Sequence, residues 1–107
     1  MRFLMTTMGG GEPPDEQLYA DMGRLIEEMT RAGVLLATGG LDPVGSRISS
    51  SGGKITVTDG PFAEAKETIV SFALIEARSK EEALELSRRF WAVAGDGQGE
   101  IRQVYGP

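Results

Sequence analysis

The chain has 107 residues, with 11 Lys and Arg against 16 Asp and Glu, a net charge of −5, and 40% hydrophobic side chains. That is the make-up of one globular domain spanning 1–107, and its basic residues stand singly apart from Arg88-Arg89, so no nucleic-acid partner is expected: a phosphate backbone calls for a clustered basic face. With neither cysteine nor histidine, disulfides, a thiol nucleophile and the usual thiolate or imidazole metal sites are excluded, no metal or cofactor is expected, and proton transfer falls to carboxylates, Lys, Tyr or the amino terminus.

Residues 3–8 read as a short strand with apolar side chains in both alternating sets, ended by Gly9-Gly10-Gly11 and Pro13-Pro14. The triple glycine is a connector and not a phosphate loop, because no Gly-Lys-Ser/Thr follows and Glu12 and Asp15 would repel a phosphate. Asp15 is placed to cap a helix whose inward stripe is Leu18, Met22, Leu25, Ile26 and Met29. Gly33 closes that helix, 34–38 forms a buried strand, and 39–45 is loop. Segments 47–50 and 54–58 form a hairpin around Ser51-Gly52-Gly53. Asp59-Gly60-Pro61 is turn chemistry, with a short helical turn expected from Pro61 through Glu67. The strongest strand is 68–77. Ser79 then caps a second helix, with Glu82 completing a capping box and Ala83, Leu84, Ser87, Phe90 and Trp91 facing inward. Residues 95–99 are loop, and 100–105 is a final strand.

The order strand, helix, strand, hairpin, strand, helix, strand fits an α+β, ferredoxin-like antiparallel sheet with two helices on one face and an inserted β-hairpin. Two helices cover one sheet face only, yet the first, second and penultimate strands are apolar on both. A second copy of the chain is the simplest cover for the other face, so a homodimer is expected, with a small ligand as the alternative. No apolar run approaches the ~18–20 residues of a membrane span. The opening residues turn polar too soon for a signal peptide. No membrane attachment is expected, and the expected location is cytoplasmic.

The run Thr58-Asp59-Gly60-Pro61-Phe62-Ala63-Glu64-Ala65-Lys66-Glu67, the apolar strand that follows it, the late Gly99-Glu100-Ile101-Arg102 and the earlier Arg31-Ala32-Gly33-Val34-Leu35 resemble the signature of the YCII-related, or DGPF, family of small bacterial proteins. The resemblance implies a dimeric α+β barrel, two ferredoxin-like units packed sheet to sheet. It also brings a link to alternative sigma factors, and relatives with a His–Asp site. That site cannot transfer here, since the chain has no histidine. Ser71 stands where the family usually has Gly, and Gln103 where it usually has Pro.

Asp59 is the leading candidate site residue. It either accepts amides of its own turn or acts as a general acid/base in a pocket roofed by Phe62, which requires its desolvation. Gly60, Pro61, Phe62, Glu64, Lys66 and Arg102 are the accompanying ligand-binding candidates. Glu64, Lys66 and Glu67 also read as a solvated charged face, and Arg102 as a structural bridge. Three functions stand open: a regulatory or accessory domain binding a small molecule near the 59–62 turn, an enzyme using Asp59 without metal or nucleotide, and a partner of an alternative sigma factor. The residues do not decide whether the chain is an enzyme.

Overall fold

The computed structural model describes residues 1–9, 14–61 and 68–106. Its elements are β1 (Arg2–Met8), α1 (Glu16–Arg31), β2 (Leu35–Gly40), β3 (Ser46–Ser51), β4 (Lys54–Asp59), β5 (Ile69–Glu76), α2 (Lys80–Ala94) and β6 (Gly99–Val104). Four strands form one antiparallel sheet in the order β2-β5-β1-β6, and β3 and β4 form a separate two-stranded ribbon. This is the ferredoxin-like arrangement with an inserted hairpin that the element order predicts. The short helical turn expected after Pro61 lies outside the described residues.

Both helices begin where the sequence places a cap. The Asp15 carboxylate accepts from the Leu18 amide at 2.8 Å, and the Ser79 hydroxyl accepts from the Glu82 amide at 3.1 Å, each satisfying an otherwise orphaned first-turn donor. The other half of the expected capping box is replaced. Glu82 Oε2 instead accepts from Arg78 Nε at 2.7 Å, and that bond holds the Glu82 carboxyl below its ordinary range. The Ser51–Lys54 connection is closed by Gly52 and Gly53 at φ 56° and 81°, the positive values that a two-residue turn needs to match strand twist.

The register sorts the sheet into two faces, because paired residues point the same way and alternate residues point apart. Phe3 pairs with Ile75 and Met5 with Ala73 and Ile101. Phe3, Met5 and Ile75 are buried with Leu25 and Met29 of α1 and Ala83 and Leu86 of α2, so this is the helix-covered face. Leu86 joins the α2 stripe in place of the expected Leu84, which is half-buried. The alternate set, Leu4, Thr6, Val70, Phe72 and Leu74, is half-buried on the open face, where neither helix packs.

One strand runs longer than its sequence suggests. Gly39 and Gly40, expected in a loop, extend β2 by pairing with Phe72 and Ser71. A Cβ on Gly39 would stand 3.1 Å from Phe72 Cε1, so the bare backbone admits the ring. Among the described residues no helix is long and apolar enough to cross a membrane.

Candidate functional site

The helix-covered face is graded in side-chain size. Its inner row is Gln103, Phe3, Ile75 and Leu35, read across β6, β1, β5 and β2; the next is Ile101, Met5, Ala73 and Thr38; the outer row is Gly99, Thr7, Ser71 and Gly40. Large residues in the inner row fill the space beneath the helices. Small ones in the outer row cannot reach α1, and a gap between two rigid elements stays open. The result is a cavity of 480 Å³, within the range of small-molecule sites.

Met5, Ala73 and Ile75 form the apolar floor, Met22 and Ile26 of α1 the roof, and Phe90 and Trp91 of α2 the end wall. The two aromatic rings meet edge to face, with centroids 5.2 Å apart, a favoured aromatic geometry. Tyr19 borders the cavity from the exposed side of α1. The polar groups gather at the outer row. Thr7 and Ser71 hydroxyls hydrogen-bond to each other, and the Thr38 hydroxyl donates to the Phe72 carbonyl at 2.9 Å. Among the lining residues Glu100 is the single carboxylate, and none is Lys or Arg. Such a lining offers hydroxyl contacts and apolar area but no counter-charge for a phosphate, and so suits a small, mostly apolar, neutral molecule.

Of the residues singled out from sequence, those that the structure describes lie elsewhere. Asp59 ends β4 on the separate ribbon, exposed, and its carboxylate accepts from Ser46 Oγ at 2.7 Å. The Gly60 amide donates to the Gly45 carbonyl at 2.7 Å, closing the base of the ribbon, and Pro61 follows it, exposed. Phe62, Glu64 and Lys66 lie outside the described residues. Arg102 is on β6, where its Nη2 donates to Glu100 Oε1 at 3.3 Å. That ion pair brings Arg102 within one residue of the cavity lining. Asp59, Gly60, Pro61 and Arg102 are not themselves among the residues that line it.

Sequence reasoning passed over Thr7 and Thr38, and marked Ser71 only as a departure from the family pattern. Their signal becomes visible once the register is known: each is a hydroxyl set in a strand face that is otherwise apolar or small. Trp91, expected as core, is half-buried and walls the cavity.

The fold and the cavity define the class: a small α+β domain with a largely apolar pocket between its helices and the sheet. The chain belongs to the YCII-related domain family, whose profile matches residues 1–106. It is 33% identical over 84 residues to an uncharacterised protein of Rhizobium meliloti, a match covering 77% of this chain and 68% of that protein. It is also similar in fold to 5-chloro-2-hydroxyhydroquinone dehydrochlorinase (TftG) from Burkholderia phenoliruptrix, solved in complex with 2,5-dihydroxybenzoquinone, at a TM-score of 0.55 and 15% identity, over 100% of this chain and 96% of that one. These relatives bring no support for the sigma-factor link that the resemblance implies.

Proposed function

We propose that the chain binds a small, neutral, largely apolar ring compound in the cavity under α1, as one subunit of a homodimer paired through its open sheet face. The observation that carries the reading is the lining itself: apolar floor and roof, an aromatic end wall, and three hydroxyls, those of Thr7 and Ser71 in the outer row and that of Thr38 in the row beside it. A protein of the same fold holds 2,5-dihydroxybenzoquinone, a hydroxylated ring of this chemical character. The half-buried apolar side chains on the sheet's other face support the homodimer. Asp59, exposed and engaged by Ser46, serves in this reading as a turn residue that fixes the base of the ribbon.

The test is a titration of single-ring phenols and hydroxyquinones, followed by calorimetry and by NMR of the Trp91 indole NH. Binding should shift that resonance, since the chain has one tryptophan and it walls the cavity. Ser71→Val and Thr7→Val should each weaken binding by roughly tenfold, the worth of one lost hydrogen bond. A panel that leaves the indole resonance unmoved at millimolar concentrations would remove the reading.

A further inference from the structure

Among the described residues, the β3–β4 ribbon neither lines the cavity nor is covered by another element. Its register puts Ile48 opposite Val57 and Ser50 opposite Ile55 on one face, with Arg47, Ser49 and Ser51 opposite Thr58, Thr56 and Lys54 on the other. One face is therefore apolar at its centre and the other wholly polar, the alternation of a strand pair that lies on something. Yet every residue of both strands is exposed, with Ile48 at 69%, Ile55 at 68% and Val57 at 62%. A two-stranded hairpin standing alone in water is marginally stable at best. Three β-branched side chains on one face of such a ribbon are a poor arrangement for solvent and a good one for a contact.

The molecule's dimensions agree with a surface left uncovered. The chain exposes 7813 Å², whereas a compact monomer of 11.5 kDa exposes ~5,800 Å². Its radius of gyration is 15.9 Å, against ~13 Å for a compact domain of this length. The surplus of ~2,000 Å² exceeds the ~800 Å² that each partner of a standard-size interface contributes. A second uncovered apolar surface lies on the same chain, the open sheet face with Leu4, Val70 and Leu74, and Val104 at 40% exposure. Two surfaces on one chain that need cover are satisfied reciprocally by two copies about a two-fold axis.

From this juxtaposition we propose that the β3–β4 ribbon is a dimerisation arm, laying its Ile48–Ile55–Val57 face on the open sheet of a second copy. The proposal rests on the homodimer reading and adds to it the element that makes the dimer tight. Because the arm is exposed within its own chain, it can be altered without touching the core.

The experiment is sedimentation equilibrium of the full chain beside Ile48→Thr/Val57→Thr, a pair that keeps β-branching and hence strand preference. The wild type should be a dimer, and the variant's dissociation constant should rise about a hundredfold, since each arm would bury two hydroxyl-bearing side chains in place of two apolar ones. Circular dichroism should show the variant monomer folded. Amides of residues 46–59 in the wild type should exchange more slowly as protein concentration rises through the dissociation constant. A wild type that stays monomeric would overturn the homodimer reading and the arm together. A dimeric wild type with an equally dimeric variant, or with concentration-independent exchange in the ribbon, would overturn the arm alone and leave pairing through the sheets.

Discussion

Trp91 can be tested as a wall of the cavity through the two glycines it leans on. A Cβ on Gly97 would stand 2.8 Å from Trp91 Cζ3 and 3.3 Å from Cη2, and one on Gly99 would stand 2.8 Å from Trp91 Cζ2 but also 2.2 Å from the Thr6 carbonyl oxygen. The two obstacles differ in kind. The indole borders open space and can swing, whereas Thr6 belongs to β1, which is paired on both sides, with β5 and with β6. Gly99→Ala must therefore lift the start of β6 from the sheet, an overpacking cost of about 2–3 kcal/mol. For a chain of this length that lowers the melting temperature by ~9–13 °C at fixed protein concentration. Gly97→Ala should cost ~1 kcal/mol, because only the ring has to move. The discriminating step is to repeat both in a Trp91→Leu background. There Gly97→Ala should become neutral or stabilising by ~0.5 kcal/mol, since the obstacle is gone and the unfolded chain loses freedom. Gly99→Ala should remain costly, because the Thr6 carbonyl is still in place. Chemical denaturation followed by circular dichroism reads all four variants. A Gly97→Ala cost that is the same in both backgrounds, or a Gly99→Ala melt within ~2 °C of wild type, would show that the packing around Trp91 has been misread.

Three further outcomes are expected. Ile75→Ala removes a side chain with 0% exposure at the centre of the inner row and should destabilise by ~3–4 kcal/mol in urea unfolding, as buried Ile truncations do. Asp59→Ala should cost less than ~1 kcal/mol, the worth of an exposed hydrogen bond to Ser46, and calorimetry should find ligand affinity at the cavity unchanged. The Glu82 carboxyl, held low by Arg78, contributes stability above its ordinary range, which is lost as pH falls through its lowered folded-state value. Melting curves of wild type and Arg78→Ala should therefore differ at neutral pH and converge on acidification, and a gap independent of pH would refute the assignment.

The architecture was legible because its signals are local. Asp15 and Ser79 are caps by chemistry, Gly52-Gly53 can hardly be other than a tight turn, and the α1 stripe from Leu18 to Met29 has one helical reading. Where the reading stopped short, the cause was tertiary. Gly39 and Gly40 resemble loop residues until Phe72 is known to pack against the bare backbone. Glu82 fits a capping box until Arg78 is found competing for its carboxylate. The 59–67 signature stands out because it is chemically dense, while the cavity is lined by residues that are chemically quiet. No single-residue rule marks Thr7 or Ser71. Only the cross-strand pairing sets their hydroxyls side by side, and that pairing joins positions 64 apart in the chain.

Strand alternation gives this sheet two independent jobs. Along β5, Ser71, Ala73 and Ile75 grade from small to large on the helix side, while Val70, Phe72 and Leu74 stay large on the other. The first set leaves room that a ligand can use, and the second leaves area that a partner can use. Because successive side chains point to opposite faces, either set can change without disturbing the other. A substitution at position 71 alters the polarity of the cavity and leaves the open sheet face intact; one at position 74 does the reverse. Ser71 illustrates the point, for its hydroxyl pairs with that of Thr7 within the same row. That pair adds a polar contact to the pocket and leaves the open face unchanged. The cavity's chemistry can therefore change while the fold is kept, and similarity in fold at 15% identity does not carry a ligand from one protein to another.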